Sequence, residues 1–197
     1  MTAVTLPGLP AAFRWDREPA AFRLEGDALR IEAGPQTDLF VDPQGAPARL
    51  DAPRLLGRLD GDLQLSARVS VGFASTFDAG VLLLYAGEPA WAKLCFELSP
   101  DGRPMVVSVV TRDLSDDANA FAVEAEEIWL RISRIGAASA FHASHDSRRW
   151  ELIRHFALGA DAELGFLAQS PTGEGCSVTF DQITFVQDRL ADLRSGV

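Results

Sequence analysis

Lysine and tyrosine, one of each, are what this sequence has least of. Its 197 residues contain one lysine, Lys93, and 17 arginines against 28 acidic residues, for a formal net charge of −10. Nucleic-acid binding depends on clustered positive charge facing phosphates, so this balance excludes nucleic acid as a partner and equally disfavours an anionic membrane. Cysteine is almost as scarce. Cys95 and Cys176 form no Cys-x-x-Cys pair, which removes zinc-ribbon and dithiol chemistry and leaves two free thiols of a reducing compartment as the expectation. No apolar run reaches the ~18 residues of a membrane span. Met1–Gly8 carries no basic and apolar leader, so a cytoplasmic protein is expected. There is no Gly-x-Ser-x-Gly nucleophile elbow, and Gly173-Glu174-Gly175 lacks the Lys-Ser/Thr of a phosphate loop. Helical periodicity is missing except over Asp188–Arg194.

What is present is alternation. Leu63-Gln64-Leu65-Ser66-Ala67-Arg68-Val69-Ser70-Val71 alternates strictly, as a half-buried strand does. Asp78–Thr111 holds three apolar runs separated by turn residues, which predicts an antiparallel meander. In its middle run, Ala92, Leu94, Phe96 and Leu98 share one face; Trp91, Lys93, Cys95 and Glu97 share the other. Ile128–Arg134 alternates again, with Trp129, Arg131 and Ser133 on one side. Gly26-Asp27 and Asp146–Arg149 read as hairpin connections. Asp42–Pro53 and Arg112–Glu126, rich in turn residues or acid, read as loops. About a dozen short strands at 8–12-residue spacing indicate an all-β sandwich or barrel. With 47% hydrophobic residues the chain supports one domain with a sizeable core. Residues 1–12 are expected as a lead, 13–186 as the domain, and 187–197 as a short helix or tail.

Several segments, in order and spacing, resemble a domain family of unknown function named for a regulator of enolase. They are Trp15–Pro19, Thr37-Asp38-Leu39-Phe40, Phe77-Asp78-Ala79-Gly80, Trp91-Ala92-Lys93 with Glu97, Ser108–Thr111, Ser115-Asp116, Leu130-Arg131, and Asp146 with Trp150 and Arg154. The family lies within the concanavalin A-like lectin/glucanase fold. The resemblance covers about residues 13–186 and implies two antiparallel sheets packed as a jelly-roll sandwich, one of them concave. Two positions depart from the family. Asp117 stands where an aromatic is usual, and Asp146-Ser147 replaces an Asp-Gly turn.

On this footing the candidate ligand-binding residues are Trp91, Lys93, Glu97, Ser108, Thr111, Asp116, Trp129 and Arg131, taken as one sheet face and its rim. Sugars are recognised by aromatic platforms for their C–H faces and by polar groups that match their hydroxyls. The leading expectation is therefore non-catalytic binding of a carbohydrate or small polar metabolite. The bland alternative is a polar face carrying Lys93–Glu97 and Arg131–Asp116 ion pairs. A protein partner is the second reading, since the family name suggests a module acting on a metabolic enzyme. A divergent glycoside hydrolase is the third. Retaining glycosidases need two carboxylates about 5–5.5 Å apart, and this chain lacks the Glu-x-Asp-x-x-Glu strand of the glucanases. No cofactor is expected. Calcium is considered through Asp38 and Asp181, and His142 and His145 fall on opposite strand faces and cannot share a metal.

Overall fold

The alternating segments all become strands in the computed structural model, which describes residues 3–88, 90–159 and 161–197. In chain order they are β1 (Ala3–Val4), β2 (Phe13–Arg17), β3 (Ala21–Glu25), β4 (Ala28–Glu32), β5 (Leu39–Phe40) and β6 (Arg49–Leu50). Then come β7 (Arg54–Gly57), β8 (Leu63–Val71), β9 (Ala79–Tyr85), β10 (Ala90–Leu98), β11 (Pro104–Arg112) and β12 (Leu114–Ala122). The last five are β13 (Glu127–Ile135), β14 (Ala138–Ser144), β15 (Glu151–Ala157), β16 (Glu163–Gln169) and β17 (Ser177–Val186). They form an eight-stranded sheet, β1-β2-β7-β16-β9-β10-β11-β12, and a seven-stranded sheet, β15-β14-β13-β8-β17-β4-β3. All the pairings are antiparallel. The protein is thus an all-β two-sheet sandwich. Among the described residues there is no helix long and apolar enough to cross a membrane.

Period two fills the space between the sheets. Ala92, Leu94 and Phe96 of β10 meet Leu65, Ala67 and Val69 of β8 and Leu130 and Ile132 of β13 in one buried cluster. Gly80 sits where this packing is tightest. A Cβ there would lie 2.6 Å from a methyl of Val178 and 2.6 Å from one of Val69, both on the opposite sheet.

A second apolar cluster lies on the outer face of the larger sheet. Val81, Leu83, Trp91, Cys95 and Val107 point outward but are buried, because an arm built on the β5–β6 hairpin covers them with Leu39 and Ala52. The arm is pinned on both flanks. Thr37 and Ser170 exchange backbone hydrogen bonds on one side. On the other, the Val41 N–H donates to Ser115 Oγ at 2.9 Å and the Ser115 N–H donates to the Val41 carbonyl.

Three segments differ from the sequence reading. Arg112–Glu126 is not a loop: β12 occupies most of it, turned tightly from β11 at Asp113 (φ +64°). It is the edge strand of its sheet and mostly exposed, so no apolar alternation marks it. Asp42–Pro53 contains β6, a two-residue strand too short to show a period. The last residues form no helix; they lie against the smaller sheet, with the His142 ring bonded to the Leu193 carbonyl at 2.8 Å. At the other end, β1 pairs with β2, and Val4 and Leu6 are buried.

Gly80→Ala tests the packing between the sheets. Overfilling a close-packed interior costs about 1–3 kcal/mol, so the variant should unfold at lower urea than the wild type with unchanged m; an equal midpoint would contradict this packing.

Candidate functional site

Lys93 is the centre of a place where charge enters the interior of the larger sheet's outer layer. It sits mid-strand on β10, faces outward beneath the arm, and is only 2% exposed. Its Nζ donates to Asp38 Oδ1 at 3.3 Å and to Gln169 Oε1 at 3.0 Å, and lies 5.8 Å from the centroid of the Phe40 ring. Burial works against the Lys93 cation, but the acidic groups around it, Asp38 first among them, together outweigh burial and hold its pKa above the ordinary value.

Each partner is itself held. Asp38 Oδ1 accepts the Leu39 N–H at 2.7 Å, and the Asp38 N–H donates to Asp51 across the arm at 2.9 Å. Gln169, at the end of β16, directs its amide nitrogen to the Phe77 carbonyl at 3.5 Å. Beside it, buried Asp78 accepts the N–H groups of Ala74 and Ser75 and the Ser170 hydroxyl at 2.6 Å, which fixes the turn carrying Phe77.

These groups wall a cavity of ≈ 170 Å³ lined by Asp38, Phe40, Phe77, Lys93, Glu97, Val109, Asp117, Gln169 and Pro171. Register explains its floor. Lys93 pairs with Val109, and Val109 with Asp117, so the three share a row and a face across β10, β11 and β12. Glu97 lies four residues further along β10, on the same face. Among the described residues its carboxyl makes no hydrogen bond and no ion pair. Burial raises its pKa to about 8, against the opposing pull of Lys93 and aided by Asp117 and Asp38. At neutral pH the cavity therefore presents an ammonium, two carboxylates and a mostly neutral carboxylic acid, with Phe40 and the 38%-exposed Phe77 as apolar surfaces.

The structure brings together only part of the set named from sequence. Lys93 and Glu97 line the cavity. Trp91 is on their face but 1% exposed, stacked on Tyr85 at 6.4 Å beneath the arm, and serves as core. Thr111 shares that face and is buried, its hydroxyl hydrogen-bonded to Ser115 at 2.9 Å, so it anchors the strand that holds the arm. Ser108 pairs with Leu94 and so faces the inter-sheet core. Asp116 pairs with Val110 and points away from the cavity; its carboxylate lies 3.6 Å from Arg154. Trp129 and Arg131 are on β13, in the other sheet, on its own outer face. The single face expected from sequence is thus two faces on opposite sides of the sandwich. The two expected ion pairs are replaced by Lys93–Asp38 and Arg154–Asp116.

Sequence reasoning missed Phe40, Phe77, Asp117 and Gln169 as cavity residues. Reading Leu114–Ala122 as a strand would have placed Asp117, two positions from Ser115, on the cavity side. The two aspartates considered for calcium lie apart: Asp38 holds Lys93, while Asp181 on β17 accepts Arg68 Nε and Nη2 at 2.7 and 2.6 Å. Among the described residues, no three His, Cys, Asp or Glu side chains gather as a metal site. Cys95 and Cys176 are free and buried, and burial pushes the Cys95 thiol well above its ordinary range.

Comparison with known proteins follows the fold. Residues 15–187 match a family described as protein of unknown function (DUF1349). A functionally unknown protein from Saccharomyces cerevisiae shares the architecture at TM-score 0.81 and 24% identity, over 88% of this chain and 95% of that one. The GH43 protein BlXynB from Bacillus licheniformis aligns at TM-score 0.73 and 13% identity over 89% of this chain but only 37% of its own. An alginate lyase from Klebsiella pneumoniae aligns at TM-score 0.57 and 13% identity, over 87% and 86% of the two chains. No curated protein matches the sequence.

The raised Glu97 pKa has a consequence for stability. The unfolded chain ionises this group at its ordinary 4.5, whereas the folded chain holds its proton until about 8. Between those values the unfolded state binds fewer protons, so the folded state loses stability as pH rises through the window. Glu97→Gln has no such proton to lose. Its stability relative to wild type should rise steadily from pH 5 to pH 8 in denaturant titrations; a constant difference would contradict a neutral Glu97.

Proposed function

We propose, for a chain that belongs to the DUF1349 family of unknown function, a non-catalytic role: binding a carbohydrate or other small polar metabolite in the cavity between the arm and the larger sheet. The observation that carries this reading is the Glu97 carboxyl, without a hydrogen-bond partner among the described residues, in a cavity whose Lys93, Asp38 and Gln169 are positioned by hydrogen bonds. Glu97 is half-buried, so its carboxyl faces the cavity and a ligand hydroxyl entering there can hydrogen-bond to it. A neutral carboxyl both donates and accepts, Asp117 accepts, and Lys93 keeps one of its three N–H donors after serving Asp38 and Gln169. Such a mixed set matches vicinal hydroxyls. Phe40 and Phe77 suit the C–H face of a ring. Sites for drug-sized ligands occupy about 300–1,000 Å³, so the ≈ 170 Å³ here favours a single ring. Three acidic side chains against one lysine disfavour phosphorylated ligands.

The glycoside-hydrolase reading is favoured by one observation, that Asp117 and Asp38 line the same cavity as a Glu97 held protonated near neutrality. Turnover of aryl glycosides that Glu97→Gln abolishes would establish it over simple binding.

The test is a thermal-shift and calorimetric screen of monosaccharides and polyols. A ligand at a hundredfold excess over Kd should stabilise the fold by about 2.7 kcal/mol. Glu97→Ala and Asp117→Ala should each weaken it about tenfold or more, through the loss of a hydrogen-bonding group from the cavity wall. Binding unchanged in both variants would remove the cavity as the site. A flat screen would move the assignment to a protein partner.

A further inference from the structure

The outer face of the smaller sheet carries a second arrangement that neither the arm nor the core uses. Register puts Trp129, Arg68 and Asp181 in one row across β13, β8 and β17, and Arg131, Ser66 and Thr184 in the next. Between these rows β17 breaks register, and Gln182 adopts φ +46°. The left-handed region is unusual for glutamine, and here the bulge brings its amide oxygen to Trp129 Nε1 at 3.3 Å. The Ser66 and Thr184 hydroxyls hydrogen-bond to each other at 2.6 Å. Trp150, from the turn before β15, lies against the Arg131 guanidinium, 4.1 Å from ring centroid to Cζ. These groups border an open depression of ≈ 300 Å³.

Arg131 is the anomaly. It is 6% exposed, yet among the described residues its one hydrogen bond is from Nη2 to the Gly196 carbonyl at 2.7 Å, and its Nε is buried without a partner there. Among the described residues, no carboxylate forms an ion pair with it. Neighbouring Arg68 is the opposite case, held by Asp181 and by Glu127 at 2.9 Å. Burial alone moves Arg131, drawing its pKa down to about 10, so it remains a cation at neutral pH. A desolvated cation is costly unless an anion meets it, and among the described residues Arg131 meets only the Gly196 carbonyl and the face of Trp150.

We propose that this face is a second binding site, and that its ligand is a uronate-containing glycan whose carboxylate pairs with Arg131 while its rings lie against Trp129 and Trp150. The planar guanidinium matches a carboxylate with two parallel hydrogen bonds. Both indoles are only partly buried and offer apolar surface to sugar C–H groups. Gln182, Ser66 and Thr184 supply donors and acceptors for hydroxyls. A neutral sugar would leave Arg131 unpaired, and a small inorganic anion would leave the indoles unused. The site lies on the opposite sheet from Lys93 and does not depend on the cavity reading.

Titration of the intact protein with tetragalacturonate and with its fully methyl-esterified form, followed by calorimetry, tests it. The acid should bind about tenfold or more tightly than the ester, and added salt should weaken it. Trp129→Ala and Arg131→Gln should each reduce affinity about tenfold or more. Trp129 lies outside the apolar core, so its variant, checked by circular dichroism, keeps the test decisive if Arg131→Gln misfolds. No binding, equal affinity for acid and ester, or full affinity in Trp129→Ala would overturn the proposal. So would loss of tetragalacturonate binding in Glu97→Gln, which would place the ligand under the arm.

Discussion

The ion pair between Lys93 and Asp38 is the contact on which the outer half of this molecule depends. It joins the middle of a central strand to the arm that crosses it, at a depth where neither charge could stand alone. Gln169 and the Phe40 ring complete the enclosure of the ammonium. A compact, three-donor ammonium suits this corner; a guanidinium would need a longer, flatter space and a bidentate partner. That accounts for a lysine here in a chain that elsewhere uses arginine.

From that pair the rest of the site follows in order. The arm covers Trp91, Cys95 and Val107, giving the sandwich a third layer over part of one sheet. Where the cover stops short, a cavity remains, and Glu97 and Asp117 border it without engaging the lysine in a direct ion pair. Apolar burial and polar pinning act together: Leu39 and Ala52 bring the arm down, and the Thr37–Ser170 and Val41–Ser115 bonds hold its register.

The sandwich was legible in the sequence because β8, β10 and β13 each place their inter-sheet apolar residues at every second position, and period two survives in the letters. The importance of Lys93 and Glu97 was legible from their shared face. The separation of Trp129 and Arg131 from them was not, since alternation reports the face within a strand and not the sheet to which that strand belongs. Trp91 misled for a related reason. An outward-facing aromatic looks like a platform until something covers it, and the cover comes from β5 and β6, too short to carry a period. Asp117 was hidden in β12, whose exposure on both sides makes a strand look like an acidic loop.

The account rests on a carboxyl that stays neutral and unpartnered under the arm. Carbon-13 NMR of glutamate-labelled protein, with Glu97→Gln to assign the resonance, measures this directly. A Glu97 held neutral by burial titrates near 8 in the free protein. A Glu97 that titrates near the ordinary glutamate value of about 4.3 would mean a hydrated, charged group, and would contradict both the neutral donor and the ligand chemistry built on it.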